Sequence, residues 1–556
     1  MNEKNKLQKL FFEKKYSEII KIIEETKSKS AGLLNLLGVC KLYISSNSLD
    51  GLISANLVFQ ESYLMEKNTK FGLDGLINFI NTSIELYDLE NDKFDILSIK
   101  ENFEKSIKYF TEMEKIFPND VKLILSIIRL YKRLGNLDLI LFYQKKLINI
   151  NYKDPKLLCS YIYRNCFNKM WKQNDFYKFS KILNDNLKKY PDDKLIKISK
   201  KHNDKIRLGF LSSDLKNFHS ITYFLKPLLK NYDKNKFDIF LVTNNKNHDD
   251  SSREFINHVN GHIDIFKLSD IDAINSIRDL KIDIMFDLMG VTSSNRLVLF
   301  KNRIANVQIT WLGYCNTTGT DNMDYIIADP NLIKNNEKHL YSEKILFLPE
   351  IWNCHEGFKN HLNNYSPPFK KNKYITFCSF NNFNKINEDV IKVWSEILKT
   401  IHSKLILKSS IKIENDIIKN LFKKYGVLNL VEFKDQLSFD EHLNLYKEVD
   451  IALDTFPYNG VTTSFEALWM SVPVLTMKGY NFNSRCGESI LKNIGLNYLI
   501  AQNPEDYFLK ATELSNNIEK LEKIRKDIFS NVKGSPLFNN NQFSQNFYSL
   551  IESIVN

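Results

Sequence analysis

Over the first two hundred residues the apolar positions recur three and four apart, as in LLNLLGVCKLYI and VKLILSIIRLYKRL. That spacing gathers them on one side of a helix, and hardly any strand-like alternation interrupts it. Near Asn203-Asp204 the texture changes. Short apolar runs at Lys205–Leu211, Phe237–Thr243 and Ile282–Leu288 read as strands, with helical periods at Ile221–Leu229 and Asp270–Leu280 between them. A second series begins at Tyr374–Cys378, continues through Lys404–Lys408 and Val431–Phe433, and reaches Ile451–Leu453 followed by a helix from about Thr463 to Met470. Strands that alternate with helices predict parallel sheets covered on both faces.

Within the helical part, breaks recur at Phe117-Pro118-Asn119-Asp120, Tyr152-Lys153-Asp154-Pro155 and Tyr190-Pro191-Asp192-Asp193. Their separation is near the period of tetratricopeptide arrays, in which helical hairpins cover one another's apolar sides and offer a concave face to a polypeptide. An irregular helical bundle fits the same pattern. The two βα series are joined by the polar stretch Asn360–Asn372, containing Pro367-Pro368. The fold class expected is therefore an all-α repeat array at 1–200, one Rossmann-like lobe at 201–365 and a second at 366–556.

A chain of 556 residues is too long for one core. Its net charge of +11 invites a nucleic acid, but Lys and Arg are interleaved with Asp and Glu throughout, so no basic stripe forms and nucleic acid is not an expected partner. Seven cysteines without a CxxC pair fit a reducing cytoplasm. No signal peptide or transmembrane run is visible in the sequence.

The chemistry concentrates in DIALDTFPYNGVTTSFEALWMSVP, Asp450 to Pro473. A Gly-containing loop that empties into a helix start leaves backbone N–H groups free, and a phosphate can sit on them. Thr462 and Thr463 add hydroxyls there, and Glu466, one turn inside the helix, can accept from a ribose hydroxyl. A Thr-capped corner of an ordinary α/β sheet accounts for the same residues. Asp214, Asn217 and His219 lie in the loop after the first strand, where a histidine can take a proton near neutrality. Lys385 follows an Asn-rich loop and can meet charge on a leaving diphosphate, and His442 opens a helix from which its ring can stack on a base. No Asp-x-Asp sits in a metal-binding context, so no metal and no cofactor is expected.

SSDLKNFHS, DLMGVTSSNRL, VQITWLGYCNTTGTDNMDYIIAD, FNNFNKIN and DTFPYNGVTTSFEALWMSVPVLTMKG together resemble the catalytic region of the O-linked N-acetylglucosamine transferase and SPINDLY-like glycosyltransferases. The resemblance implies a GT-B pair of lobes behind tetratricopeptide repeats, a UDP-sugar donor such as UDP-GlcNAc or another UDP-hexose, and a polypeptide acceptor. It implies that Lys385 contacts the diphosphate, Thr462 and Thr463 hold phosphate, Glu466 binds ribose, His442 lies against uracil, Asn382 sits beside the uridine and His219 stands near the acceptor as a base. The reaction implied is inverting, metal-independent transfer to Ser or Thr. Transfer to Asn or to a glycan, and an inactive scaffold that still binds UDP, are the alternatives. Four departures bear on donor and acceptor: Phe218 intervenes before His219 and shifts its register, Val291 follows Gly290, Cys315-Asn316 replaces the usual Pro-Gly, and Val461 precedes the two threonines.

Overall fold

The computed structural model describes residues 3–45, 48–89, 96–150, 154–189, 204–358, 366–408, 414–435 and 437–555. The chain forms two compact units, Met1–Tyr152 and Lys153–Asn556. The breaks expected at Tyr190–Asp193 and the lobe boundaries expected near 200 and 365 lie outside the described residues.

The first unit contains eight helices among its described residues, from Glu3–Phe12 to Leu137–Asn149. They pack as hairpins in chain order: Ala31–Ser45 lies on Leu49–Met65, which lies on Lys70–Asp88. Close approach needs a small residue, and Gly38 supplies it, since a Cβ there would stand 2.5 Å from the Phe59 ring. Inside the same trio the buried Asn56 amide donates to Phe79 O, Thr82 Oγ1 and Ser83 Oγ at 2.8–3.1 Å, which fixes the register of neighbouring helices. The expected break at 117–120 is a helix start capped by Asp120, whose carboxylate accepts from Leu123 N–H.

Helices Pro155–Arg164 and Gln173–Leu187 belong to the second unit, although their periodicity continues that of the array. Their contacts explain this. The Gln173 amide donates to Asn316 Oδ1 at 2.8 Å and Leu340 O at 3.2 Å, Ser180 Oγ donates to Thr317 O, and Lys181 and Lys188 both pair with Asp321. These partners all lie within the first βα series, so the two helices are bound to a sheet lobe rather than to a repeat.

That lobe holds β1 (Ile206–Ser212), β2 (Phe237–Thr243), β3 (Gly261–Asp264), β4 (Ile284–Asp287), β5 (Val307–Thr310), β6 (Tyr325–Ala328) and β7 (Lys344–Phe347). All neighbours are parallel, in the order β3-β2-β1-β4-β5-β6-β7. The second lobe repeats the plan with β8 (Ile375–Ser379), β9 (Ser403–Lys408), β10 (Val431–Lys434), β11 (Ile451–Leu453), β12 (Val474–Met477) and β13 (Ile500–Ala501), ordered β10-β9-β8-β11-β12-β13. The strand order therefore reverses between β1 and β4 in one lobe and between β8 and β11 in the other. Ligands of open parallel sheets bind beyond the strand ends at such points.

Buried polar contacts tie the lobes together. Arg485 forks onto Glu337 with two 2.6 Å bonds, and Ser489 Oγ donates to Asp329 at 2.6 Å. The helix Asn540–Val555, at the end of the segment expected to form the second lobe, packs on the first. Phe547 lies against Phe286 and Trp311, and Tyr548 OH donates to Leu228 O. Truncating Gln173 to Ala would remove one of the two donors to the buried Asn316 carbonyl, which Thr317 N–H still satisfies, at a cost of about 1 kcal/mol. Hydrogen exchange is expected to quicken in Gln173–Leu187 while β8 stays protected; unchanged exchange would reject the docking role.

Candidate functional site

A cavity of about 450 Å3 is lined by loops that follow β1, β4, β5, β7, β8 and β11, together with Tyr163 of the helix Pro155–Arg164. Of the residues singled out from the sequence, His219, Asn382, Lys385, Thr462 and Thr463 all line it. They approach from both lobes, as two facing switch points require.

On the second lobe the wall is framed by a carboxylate that sequence reasoning passed over. Asp454 directly follows β11, is buried, and accepts from Thr455 N–H at 2.8 Å, Gly460 N–H at 2.6 Å and Thr476 Oγ1 at 2.6 Å. The loop from Thr455 to Gly460 is thereby wrapped around one side chain. Asn459 adds a second brace: its amide donates to Thr455 O and Met477 O, and its side-chain oxygen accepts from Gly487 N–H. From this loop the chain enters the helix Thr462–Trp469, whose N-cap residue, Val461, makes no side-chain cap bond. The first N–H groups of a helix have no intrahelical acceptor and carry its positive end. Thr463 Oγ1 donates to Asn381 Oδ1 at 3.2 Å, which couples the helix start to the loop after β8.

Lys385 closes that same β8 loop, its backbone N–H donating to Asn382 O. Its Nζ donates to Asn459 O at 2.9 Å and stands 4.4 Å from the centre of the Tyr458 ring. Burial pulls its pKa below the ordinary lysine value, opposed by the Asp454 carboxylate. Asn382 is exposed, and its side-chain oxygen accepts from Asn384 N–H at 2.9 Å and from Asn384 Nδ2 at 3.0 Å. An ammonium, two hydroxyls and a helix start converge here, an arrangement suited to a diphosphate.

Glu466 and His442 take a different place from the one expected of groups that touch a ligand directly. Neither lines the cavity. Both are buried, with His442 Nε2 3.0 Å from Glu466 Oε2 and Tyr446 OH donating to the same oxygen at 3.2 Å. The carboxylate is thus held one turn behind the two threonines.

On the first lobe, His219 is the N-cap of the helix Ser220–Lys230, its Nδ1 accepting from Ile221 N–H at 3.3 Å. That bond puts the ring proton of the neutral form on Nε2, which faces Asp214 Oδ1 at 3.6 Å. Burial lowers its pKa, partly offset by Asp214. The extra Phe218 does not remove His219 from the cavity. Phe218 adopts the left-handed conformation, φ 59°, and its exposed ring swings across to stack on Phe439 of the second lobe at 5.1 Å. Val291 is buried outside the lining, whereas Cys315 and Val461 belong to it. Tyr163, Tyr458, Asn381, Trp352 and Asn353 were not singled out from the sequence; each comes from an element whose position in the cleft depends on long-range packing.

Burial raises the Asp454 pKa to about 6 from an ordinary 3.8. A carboxylate with a raised folded value stabilises the fold while protonated, so that contribution is complete below 3.8 and is lost as pH rises through about 6. Asp454→Asn stays neutral throughout, so its melting temperature is expected to rise relative to the parent across this window. A gap independent of pH, read by calorimetry, would contradict the buried ionisation.

Comparison with known proteins agrees with this geometry. The description of glycosyl transferase family 41 matches residues 178–366 and 363–547. The chain is 32% identical over 360 residues to the probable UDP-N-acetylglucosamine–peptide N-acetylglucosaminyltransferase SPINDLY of Solanum lycopersicum, covering 62% of this chain and 38% of that protein. The SPINDLY protein of Arabidopsis thaliana is 32% identical over 355 residues, with 61% and 38% covered. This chain therefore matches well under half the length of those relatives. Among solved structures, a variant of the Thermobaculum terrenum O-GlcNAc transferase superposes with a TM-score of 0.77 at 19% identity, covering 95% of this chain and 98% of that one. The paired parallel sheets are thus a GT-B fold preceded by a helical array, and the chain belongs to glycosyl transferase family 41.

Proposed function

We propose that this chain transfers a sugar from a UDP-sugar to a polypeptide side chain with inversion at the anomeric carbon. The observation that carries this is the convergence of Lys385, Thr462, Thr463 and the start of the helix Thr462–Trp469 on one interlobe cavity. A Ser or Thr hydroxyl attacks the anomeric carbon, the bond from that carbon to the β-phosphate oxygen breaks, and UDP leaves with the bonding pair. Lys385 and the helix amides meet the charge that develops on the diphosphate. Because the chain's own cations do so, transfer is expected to continue in EDTA.

Asn382 borders the nucleoside end in this reading, and Glu466, bonded to His442 one turn behind the threonines, braces the helix start beside it. The acceptor's proton goes to the His219–Asp214 pair. His219 can take it at Nδ1 once the bond to Ile221 N–H opens, or Asp214 can take it directly. The relatives' names, which specify N-acetylglucosamine and peptide, support GlcNAc as donor sugar and protein as acceptor. The helical array is the surface offered to the polypeptide. Among the described residues no helix is long and apolar enough to cross a membrane, and all seven cysteines are unpaired, which supports a cytoplasmic setting.

The engagement of His219 Nδ1 as a helix cap favours one second reading, a scaffold that binds UDP without transferring sugar. Labelled UDP-GlcNAc, UDP-glucose and a GDP-linked sugar, each incubated with the chain and a cell extract, separate the two. Transfer from a UDP-sugar, lowered about 100-fold or more by Lys385→Ala, is expected from the loss of one charge-stabilising group. Undiminished transfer by that variant, or transfer from the GDP-sugar alone, would overturn the reading; UDP binding without any transfer would establish the scaffold.

A further inference from the structure

The segment after β7 brings Trp352 and Asn353 into the lining of the cavity that Lys385 and Thr462 share. Both residues are almost wholly enclosed: Trp352 is 1% exposed and Asn353 0%. Their main chain is well anchored, Trp352 N–H donating to Asp329 Oδ2 and Trp352 O accepting from Trp311 Nε1. Their side chains are not. Trp352 Nε1, Asn353 Nδ2 and Asn353 Oδ1 are buried without a hydrogen-bond partner.

Buried polar atoms are almost always paired, and leaving one unmade is expensive. Three on two successive residues, on one wall of an interlobe cavity, therefore call for a ligand. The required ligand must donate and accept at once, because the set comprises two kinds of donor, an indole N–H and an amide N–H2, and one acceptor, an amide carbonyl. A hydroxyl does both, and neighbouring hydroxyls on a ring present that combination at a fixed spacing. A diphosphate, which only accepts, leaves the Asn353 carbonyl unmatched. Charged groups are also absent from this pair, whereas Lys385 and the helix start supply them on the opposite lobe.

We infer that Trp352 and Asn353 form the subsite that reads the hydroxyls of the transferred sugar ring. The inference rests on the glycosyl-transfer reading and adds to it which residues recognise the sugar, apart from those that hold the diphosphate. A site built around hydrogen bonds rejects a ligand lacking them far more strongly than an apolar pocket rejects an extra methylene. Asn353 is accordingly a specificity-determining residue and Trp352 its neighbour in the same role.

The test is binding calorimetry on the full chain with UDP, UDP-GlcNAc and UDP-glucose, for the parent, Asn353→Leu, Trp352→Phe and Lys385→Ala. Asn353→Leu is expected to keep UDP affinity within about twofold while losing about tenfold or more of the additional affinity or turnover that the sugar confers. Trp352→Phe, which deletes only the N–H, is expected to show a smaller loss in the same sense. The melting temperature of ligand-free Asn353→Leu should not fall, because the amide it replaces has no partner. Equal weakening of UDP and UDP-sugar, unchanged sugar discrimination, or a variant that fails to fold would each overturn the inference. If Lys385→Ala leaves UDP binding intact, the underlying glycosyl-transfer reading fails instead. A loss confined to UDP-GlcNAc would mean that the C2 substituent rather than the shared hydroxyls is read, and would overturn the inference; a loss with both sugars supports it.

Discussion

The site depends on one buried carboxylate. Asp454 gathers the amides of Thr455 and Gly460 and the hydroxyl of Thr476 around itself, and by doing so folds the loop between β11 and the helix that follows. Much of what faces the cavity from the second lobe rests on that loop. Asn459 O and the Tyr458 ring hold the Lys385 ammonium, and Gly460 delivers the chain to the helix start at Thr462. The ammonium and the carboxylate support one another electrostatically: burial drives Asp454 toward neutrality and Lys385 toward deprotonation, while each favours the other's charge. An arriving dianion changes that balance in favour of charged Lys385, so a diphosphate site and a structural carboxylate can share one dry region.

The same device recurs in the other lobe. Asp287 at the end of β4 accepts from Met289 and Gly290 N–H, and Asp329, just beyond β6, accepts from Asn331 and Trp352 N–H and from Ser489 Oγ. Burial raises both carboxyls to about 6. Asp329 reaches across to the second lobe, so a residue that organises a loop also joins the lobes that form the cleft.

Much of the architecture was legible because βα alternation is a strong periodic signal. The strands that begin each series, β1 and β8, and the chemical stretch around β11 were placed within a residue or two. Short strands such as β3, β12 and β13 were not, since two to four residues leave no measurable period. The helices Pro155–Arg164 and Gln173–Leu187 carry the same apolar spacing as the array, and only partners more than a hundred residues away, such as Asn316 and Thr317, tie them to the sheet lobe. Site residues in loops rich in Gly, Thr and Asn stood out. Asp454 did not, because an aspartate directly following a strand has no local mark of its role, and Trp352 and Asn353 become visible only when the cavity is closed around them. Glu466 and His442 were each singled out, for ribose and for base, but their mutual bond behind the helix start is a consequence of packing that spacing alone does not reveal.

The central claim is that this frame presents a site for a diphosphate rather than for a nucleoside alone. Isothermal titration of the full chain with uridine, UMP and UDP measures it most directly. The account predicts that UDP binds at least about tenfold more tightly than UMP, as an added charge-assisted contact should provide. Equal affinities for UMP and UDP would contradict it.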